Sequence, residues 1–508
     1  MILLLHPPVN KPGEAPAGLA KLAGALKHYA VPYRVIDTAL EGLLYLIEGR
    51  NEAPAGADTW TRRASRHGSA HLETLRAWPV YSHPDRYRRA VSDLSRVVEK
   101  SANTDRFRIG LADYEDRHLS PARSADLIRA AQIPEENPFY PYFYDRLLPI
   151  LREEKPEIIG LSLNYLSQAL CAFAMIGVLR RAAPTARIVL GGGLVNSWQK
   201  RLQGRNPFTG VVDDMVAGPG EKPLLAMSGI IPDGTATEPD YSAFPLMDYL
   251  SPPVVLPYSA SQGCYFRKCS FCPETAEENP YHSIPADLVM ADLQTSAVQR
   301  MPSLIHFLDN ALSPALLKAL AQGNIGIPWY GFARITKLLA DESFCRRLKD
   351  SGCVMLKLGL ESGSQAVLDG LHKGIDLDTA SVVLGNLKAA GIATYVYILF
   401  GTPVETPDNA GKTLDFVTRH GEDIDFLNVA VFNLPIDSAD GLQTRAFSEG
   451  DLSLYYDFIH PQGWNRPQIR HFLDRQFKRH PVIAAILKRD PPVFTSNHAP
   501  FFAMANRA

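Results

Sequence analysis

No apolar stretch in the 508 residues approaches the roughly 20 needed to cross a bilayer as a helix. Met1-Ile-Leu-Leu-Leu5 is too short for the apolar region of a signal peptide and lacks a basic lead-in, so it reads as a first buried strand. Neither sign of charge dominates. The net charge of −2 leaves no electrostatic footprint for nucleic acid. Cysteine is scarce as well: there are six, three of them packed together, which is no disulfide framework and points to a reducing cytoplasm. What remains is an ordinary globular composition, 46% apolar and 21% charged, on a chain long enough for two or three domains.

The three clustered cysteines lie in Ser261-Gln-Gly-Cys264-Tyr-Phe-Arg-Lys-Cys269-Ser-Phe-Cys272-Pro-Glu274, just after the apolar run Val254-Val-Leu-Pro257. Thiolates are soft ligands that suit zinc or an iron–sulfur cluster. Zinc wants a fourth ligand close by, yet the next histidine is His282 and the next cysteine Cys345. Three thiolates on a four-iron cluster leave one iron open to another molecule, which is the better reading. Cys171 sits in an apolar helical stretch and reads as a packed thiol, and Cys345 and Cys353 have no histidine company.

Strands and helices alternate through the chain, the pattern of parallel α/β sheets. Residues 1–230 read as a doubly wound, Rossmann-like domain, interrupted by an insertion at about 49–151. The insertion ends in Asn137-Pro-Phe-Tyr-Pro-Tyr-Phe-Tyr144, which is expected to cap a core. The strands of the first domain run into Gly-rich turns at Gly191-Gly192-Gly193 and Gly218-Pro-Gly-Glu221, where such sheets hold ligands. Residues 231–253 are rich in proline and acid and read as a linker. From 254 to 438 the pattern predicts a partial (β/α)6 barrel, with strands at 254–258, 303–308, 327–333, 354–359, 393–400 and 426–432. A segment at 439–508 is expected to cap it.

The cysteine loop resembles that of the radical S-adenosylmethionine (radical SAM) superfamily, in which CxxxCxxC carries an aromatic before the third cysteine. Here that aromatic is Phe271, and the first gap holds four residues, Tyr265 to Lys268, instead of three. Later strand ends extend the resemblance: Asp309-Asn310, Gly331-Phe-Ala-Arg334, Gly359-Leu-Glu361-Ser362 and Gly401-Thr-Pro-Val-Glu405-Thr. It implies a [4Fe–4S] cluster on Cys264, Cys269 and Cys272, with SAM contacted by Phe271, Asp309, Asn310, Arg334, Glu361, Ser362, Gly401 and Glu405. Residues 1–225 are similar to the cobalamin-binding domain of one large subgroup, on Pro7-Pro8, Gly18-Leu19, Gly160-Leu-Ser162, Gly191-Gly192 and Gly218-Pro-Gly-Glu221. That implies cobalamin contacts at Ser162, Gly191, Gly192, Gly218 and Glu221. The Asp-x-His-x-x-Gly motif of many cobalamin proteins is missing, since Asp37-Thr-Ala-Leu-Glu-Gly42 lacks the histidine.

The resemblance implies reductive cleavage of SAM to a 5′-deoxyadenosyl radical and methyl transfer from cobalamin to an unactivated carbon. The substrate would be a small molecule, lipid or peptide, and the electron donor a flavodoxin or ferredoxin. Two alternatives stand beside it. One is radical SAM chemistry without cobalamin, with the first domain docking substrate; the other is a metal-binding protein with no turnover.

Overall fold

The computed structural model describes residues 1–49, 56–235, 237–438, 441–446, 450–492, 494 and 497–505. Backbone contacts divide the chain into two compact units. One is Met1–Pro253 with Ser448–Leu454 and Pro492–Thr495; the other is Val254–Phe447 with Tyr455–Pro491 and Ser496–Ala508. The tail expected as a single cap is thus shared between the units.

The first unit is built on five parallel strands: β1 (Ile2–Leu5), β2 (Tyr33–Ile36), β3 (Ile158–Ser162), β4 (Arg187–Gly191) and β5 (Asp214–Met215). Their order is β2-β1-β3-β4-β5, so the direction of winding reverses between β1 and β3. All four residues of β1 are buried, as expected of a strand covered on both faces. Around the sheet lie α1 (Ala17–His28) and α2 (Thr38–Glu48), then α3 (Pro84–Glu99) and α4 (Ser124–Gln132) of the insertion, then α5 (Leu166–Ala182) and α6 (Gly193–Leu202).

The insertion has a core of its own making. In α3 the buried Tyr87, Ala90, Val91, Leu94, Val97 and Val98 recur at helical spacing. The same helix presents Asp93, 1% exposed, to Trp60 Nε1 at 2.6 Å, His71 Nε2 at 3.1 Å and Arg63 at 3.3 Å. Of the aromatic run, Phe139, Tyr142 and Phe143 are buried, so it does cap a core. Short strands Phe107–Ile109 and Tyr114–Asp116 pair as a hairpin that periodicity did not suggest.

Residues 231–253 form no helix or strand among those described, yet they pack on the first unit. Proline and acid deny them a ladder, while Tyr241, Phe244, Tyr249 and Leu250 bury their side chains. Asp240 accepts hydrogen bonds from Tyr33 (2.7 Å) and Lys27 (3.2 Å), and Tyr249 donates to Asp37 at 2.7 Å. Asp37 also caps α2 through the Ala39 and Leu40 amides, so the Asp37–Gly42 stretch is a helix start.

The second unit holds six parallel strands in sequential order: β6 (Val255–Tyr258), β7 (Leu304–Phe307), β8 (Trp329–Ala333), β9 (Cys353–Glu361), β10 (Ala393–Phe400) and β11 (Phe426–Val431). Each lies within two residues of its expected position. Alternation sends Ile305, Phe307, Leu356, Leu358 and Leu360 into the core beneath the helices. The opposite face carries His306, Tyr330, Lys357, Tyr395 and Tyr397. Helix α7 (His498–Ala505) packs there: the His498 ring stacks on Tyr395 at 4.6 Å and meets Phe426 edge-on at 4.9 Å. No described helix is long and apolar enough to cross a membrane.

Two glycines test this packing. A Cβ on Gly177 in α5 would lie 2.0 Å from the Ala131 carbonyl oxygen of α4, whereas one on Gly385 (helix Leu377–Ala390) meets nothing within 4 Å. Gly177→Ala is expected to destabilise by about 1–3 kcal/mol, and Gly385→Ala to stabilise by about 0.5–1 kcal/mol. Thermal unfolding of the two variants checks both signs.

Candidate functional site

The three clustered thiols sit at the carboxyl edge of the second sheet, on the loop that follows β6. The loop's base is clamped. Ser261–Gln262 pairs antiparallel with His282–Ser283, and Asp309, just past β7, accepts hydrogen bonds from the Ala260 amide (3.1 Å) and the Ser261 hydroxyl. Gly263 has φ +73, and a Cβ there would lie 2.4 Å from the Pro280 carbonyl oxygen, so only glycine fits. Further along, the Ser270 amide donates to the Leu371 carbonyl at 3.0 Å.

Cys264, Cys269 and Cys272 are all free thiols; Cys269 is buried and the other two are half-buried. Burial pushes the Cys272 thiol up to about 11, with the Cys269 and Cys264 charges adding to the shift, so metal binding there must displace protons. Among the described residues no three His, Cys, Asp or Glu side chains come together as a single-ion site. Cys171, Cys345 and Cys353 are buried singly, and burial raises each thiol.

Two cations from outside the loop flank its aromatics. The Arg334 guanidinium, at the end of β8, lies over the Phe266 ring at 3.4 Å from its centroid. Lys373 Nζ stands 5.4 Å from the Phe271 centroid and donates to Glu361 Oε1 at 2.8 Å, an ion pair almost wholly out of water. Glu361 occupies the left-handed region at φ 70, beside a register shift in β9. A non-glycine residue held there is a strained feature of the kind found at binding sites. Asn310 is exposed beside the clamped Asp309.

The remaining positions are interior. Ser362 is fully buried and shares a hydrogen bond with Thr413 at 3.1 Å. Gly401 (φ +82) opens the turn after β10, and Glu405 closes it, accepting from the Gly401 amide at 2.5 Å and Trp464 Nε1 at 3.0 Å. His460 donates to the Thr402 carbonyl at 2.7 Å, and burial lowers its pKa, so the ring is neutral. Glu405 Oε1 and Thr402 Oγ1 are buried without a partner. Sequence reasoning did not single out Phe266 or Lys357. Lys357 lies 2.9 Å from His306 Nε2 and 5.0 Å from the Tyr330 centroid, and a lysine inside Val354-Met-Leu-Lys-Leu was the signal for it.

In the first unit the turns again gather at the carboxyl edge. Ser162 of β3 pairs with Gly191 of β4, and its hydroxyl accepts from Asn164 Nδ2 at 3.1 Å. Gly192 (φ +106) is pressed against the next loop, since a Cβ would lie 2.5 Å from the Leu163 carbonyl oxygen; Gly218 (φ +76) has open space around it. Glu221 is half-buried in the helix Glu221–Met227. His6, directly after β1, was not anticipated. It is 2% exposed, its Nε2 contacts Asn10 (2.9 Å) and Gln168 (3.3 Å), and its Nδ1 has no partner.

No family model matches the chain. It is 24% identical over 294 residues to the anaerobic magnesium-protoporphyrin IX monomethyl ester cyclase of Rubrivivax gelatinosus, covering 54% of this chain and 51% of that protein. It is 25% identical over 208 residues to the bacteriochlorophyllide d C-12(1)-methyltransferase of Chlorobaculum tepidum, covering 39% and 45%. The chain thus spans about half the length of each. Among solved structures it superposes on the radical S-adenosylmethionine methyltransferase TsrM from Kitasatospora setae, with cobalamin and a [4Fe–4S] cluster bound. That match has a TM-score of 0.53 and 16% identity, over 88% of this chain and 81% of TsrM.

The Glu405 turn carries a pH signature. Burial raises the carboxyl from 4.5 to about 7 against its two hydrogen bonds. The native state therefore keeps a proton that the unfolded chain has released between those values. Stability is full below about pH 4.5 and falls as pH rises through 7, by on the order of 3 kcal/mol. Glu405→Gln should flatten that slope in unfolding midpoints measured against pH, and an unchanged slope contradicts a protonated Glu405. With both parallel sheets and the matched strand ends in view, the chain has the fold of the cobalamin-dependent radical SAM enzymes.

Proposed function

We propose that the protein is a radical SAM enzyme that methylates an unactivated carbon. The observation that carries this is the loop of three free thiols at the carboxyl edge of the second sheet, within a fold shared with a methyltransferase of that class. The donor set fits a [4Fe–4S] cluster, with Cys264, Cys269 and Cys272 as its ligands. When bound, the cluster supplies the electron that cleaves SAM to methionine and a 5′-deoxyadenosyl radical, and cobalamin supplies the methyl group.

The chain's own residues then have distinct tasks. Asp309 fixes the base of the cysteine loop through Ala260 and Ser261, leaving Asn310 exposed for polar contact with SAM. Lys373 holds Glu361 in place at the end of β9. Glu405 shapes the Gly401 turn, whose two partnerless buried polar atoms are groups that a polar ligand such as a purine amine satisfies. In the first unit, Ser162, Gly191 and Gly218 line the carboxyl edge beside the switch point, the position at which such sheets bind ligands. Open space at Gly218 and the partnerless Nδ1 of His6 suit a cofactor there, with Gly192 and Glu221 supporting the turns.

Two of the three curated relatives bear the names of tetrapyrrole enzymes, so a tetrapyrrole is the substrate class we favour. The electron donor in this reading is a flavodoxin or ferredoxin.

Protein reconstituted anaerobically should hold about four iron and four sulfide per chain and release 5′-deoxyadenosine from SAM after reduction. Alanine at Cys264, Cys269 or Cys272 should abolish both readouts, whereas Cys345→Ala should abolish neither. Production with hydroxocobalamin should yield near-stoichiometric corrinoid after desalting. Iron without corrinoid sinks the methyl-transfer reading and leaves a radical SAM enzyme whose first unit docks substrate.

A further inference from the structure

The resemblance implies that Arg334 contacts SAM, where a guanidinium would pair with the carboxylate, but in the structure its guanidinium is already engaged. The side chain is 8% exposed. One face covers the Phe266 ring at 3.4 Å, Nη2 donates to the Lys373 carbonyl, and Nη1 donates to Cys269 Sγ at 3.7 Å. The surroundings lock this arrangement. Gly374 has φ +65, and a Cβ there would come within 2.8 Å of the Phe266 ring. Lys373 is in turn held by its ion pair with Glu361. Of the three cysteines, only the buried one, Cys269, receives a hydrogen bond from a charged donor among the described residues.

We propose that Arg334 is a positioning residue for the iron–sulfur cluster: its Nη1–H donates to the Cys269 thiolate, orients that ligand and stabilises the reduced cluster. The inference rests on the reading of Cys264, Cys269 and Cys272 as cluster ligands. Hydrogen bonds to cluster sulfurs and nearby charge set the reduction potential. Reduction adds one negative charge to the cluster, taken as a single electron from a low-potential donor such as a flavodoxin. No bond or proton changes at Arg334. A guanidinium stays charged across the accessible pH range, and its planar fork is oriented here by an aromatic face on one side and a carbonyl at one tip, so its donor direction is fixed before the electron arrives.

The test is a potentiometric titration of the reconstituted cluster followed by EPR, without SAM, in the full chain carrying Arg334→Gln or Arg334→Lys. With iron content unchanged, Arg334→Gln should make reduction about tenfold harder, a shift of about 59 mV to more negative potential for one electron. Arg334→Lys keeps the charge but not the fork, and should recover part of that shift. A midpoint equal to wild type in Arg334→Gln overturns the proposal. So does weakened SAM binding with an unmoved midpoint, which would return Arg334 to the carboxylate. Should Arg334→Gln fail to load iron, Phe266→Leu removes the aromatic face and leaves the donor; it should give a smaller negative shift, and no shift overturns the proposal. A wild-type chain that takes up no iron sinks the cluster reading itself, so the two failures are distinguishable.

Discussion

Parallel pairing is the constraint on which this molecule depends. Every strand in both sheets runs the same way, so each helix returns the chain to the far edge and each strand delivers its carboxyl end to one rim. Residues far apart in sequence, such as Cys264, Asp309, Arg334, Glu361 and Gly401, therefore fall at the ends of five consecutive strands of one sheet. Topology alone brings them to the same rim.

At that rim the chain places polar groups in dry surroundings and satisfies them locally. Lys373 with Glu361, Arg334 with Phe266 and Cys269, and Asp309 with Ala260 and Ser261 are each paired within the site. Buried charge is costly unless paired, and removing one partner costs more than the pair contributes. Such pairs hold geometry more than they add stability. The Glu405 turn is the exception: its carboxyl gains two donors, yet burial still outweighs them.

Much of this was legible in the sequence. The alternating strands and helices, the cysteine loop and the strand-end motifs all stand in short contiguous stretches, where period and spacing carry information. What was not legible depends on contacts between distant stretches. Arg334 was matched by position to a ligand-facing group, but Phe266, a residue in the cysteine gap, covers it. Gly192 was matched to a cofactor turn, and what demands glycine there is the Leu163 backbone. The 231–253 segment read as a spacer because proline and acid break periodicity. Its anchoring through Asp240 and Tyr249 needs partners that only folding brings near. Within the insertion the helical pattern of Tyr87–Lys100 was weak because the buried Asp93 interrupts the apolar face of α3, and its role in organising Trp60, Arg63 and His71 needs the fold.

Asp309 has an entropic consequence as well. Ordering a residue's backbone costs about 1–2 kcal/mol, and a thiol loop that ordered only on meeting iron would draw that cost from metal affinity. Here both ends of the loop are tied down by protein groups alone: Asp309 and a short antiparallel pair at its base, and Ser270 on Leu371 further along. The ordering is charged to folding, and a metal bound by these thiols would meet the loop as a finished mould.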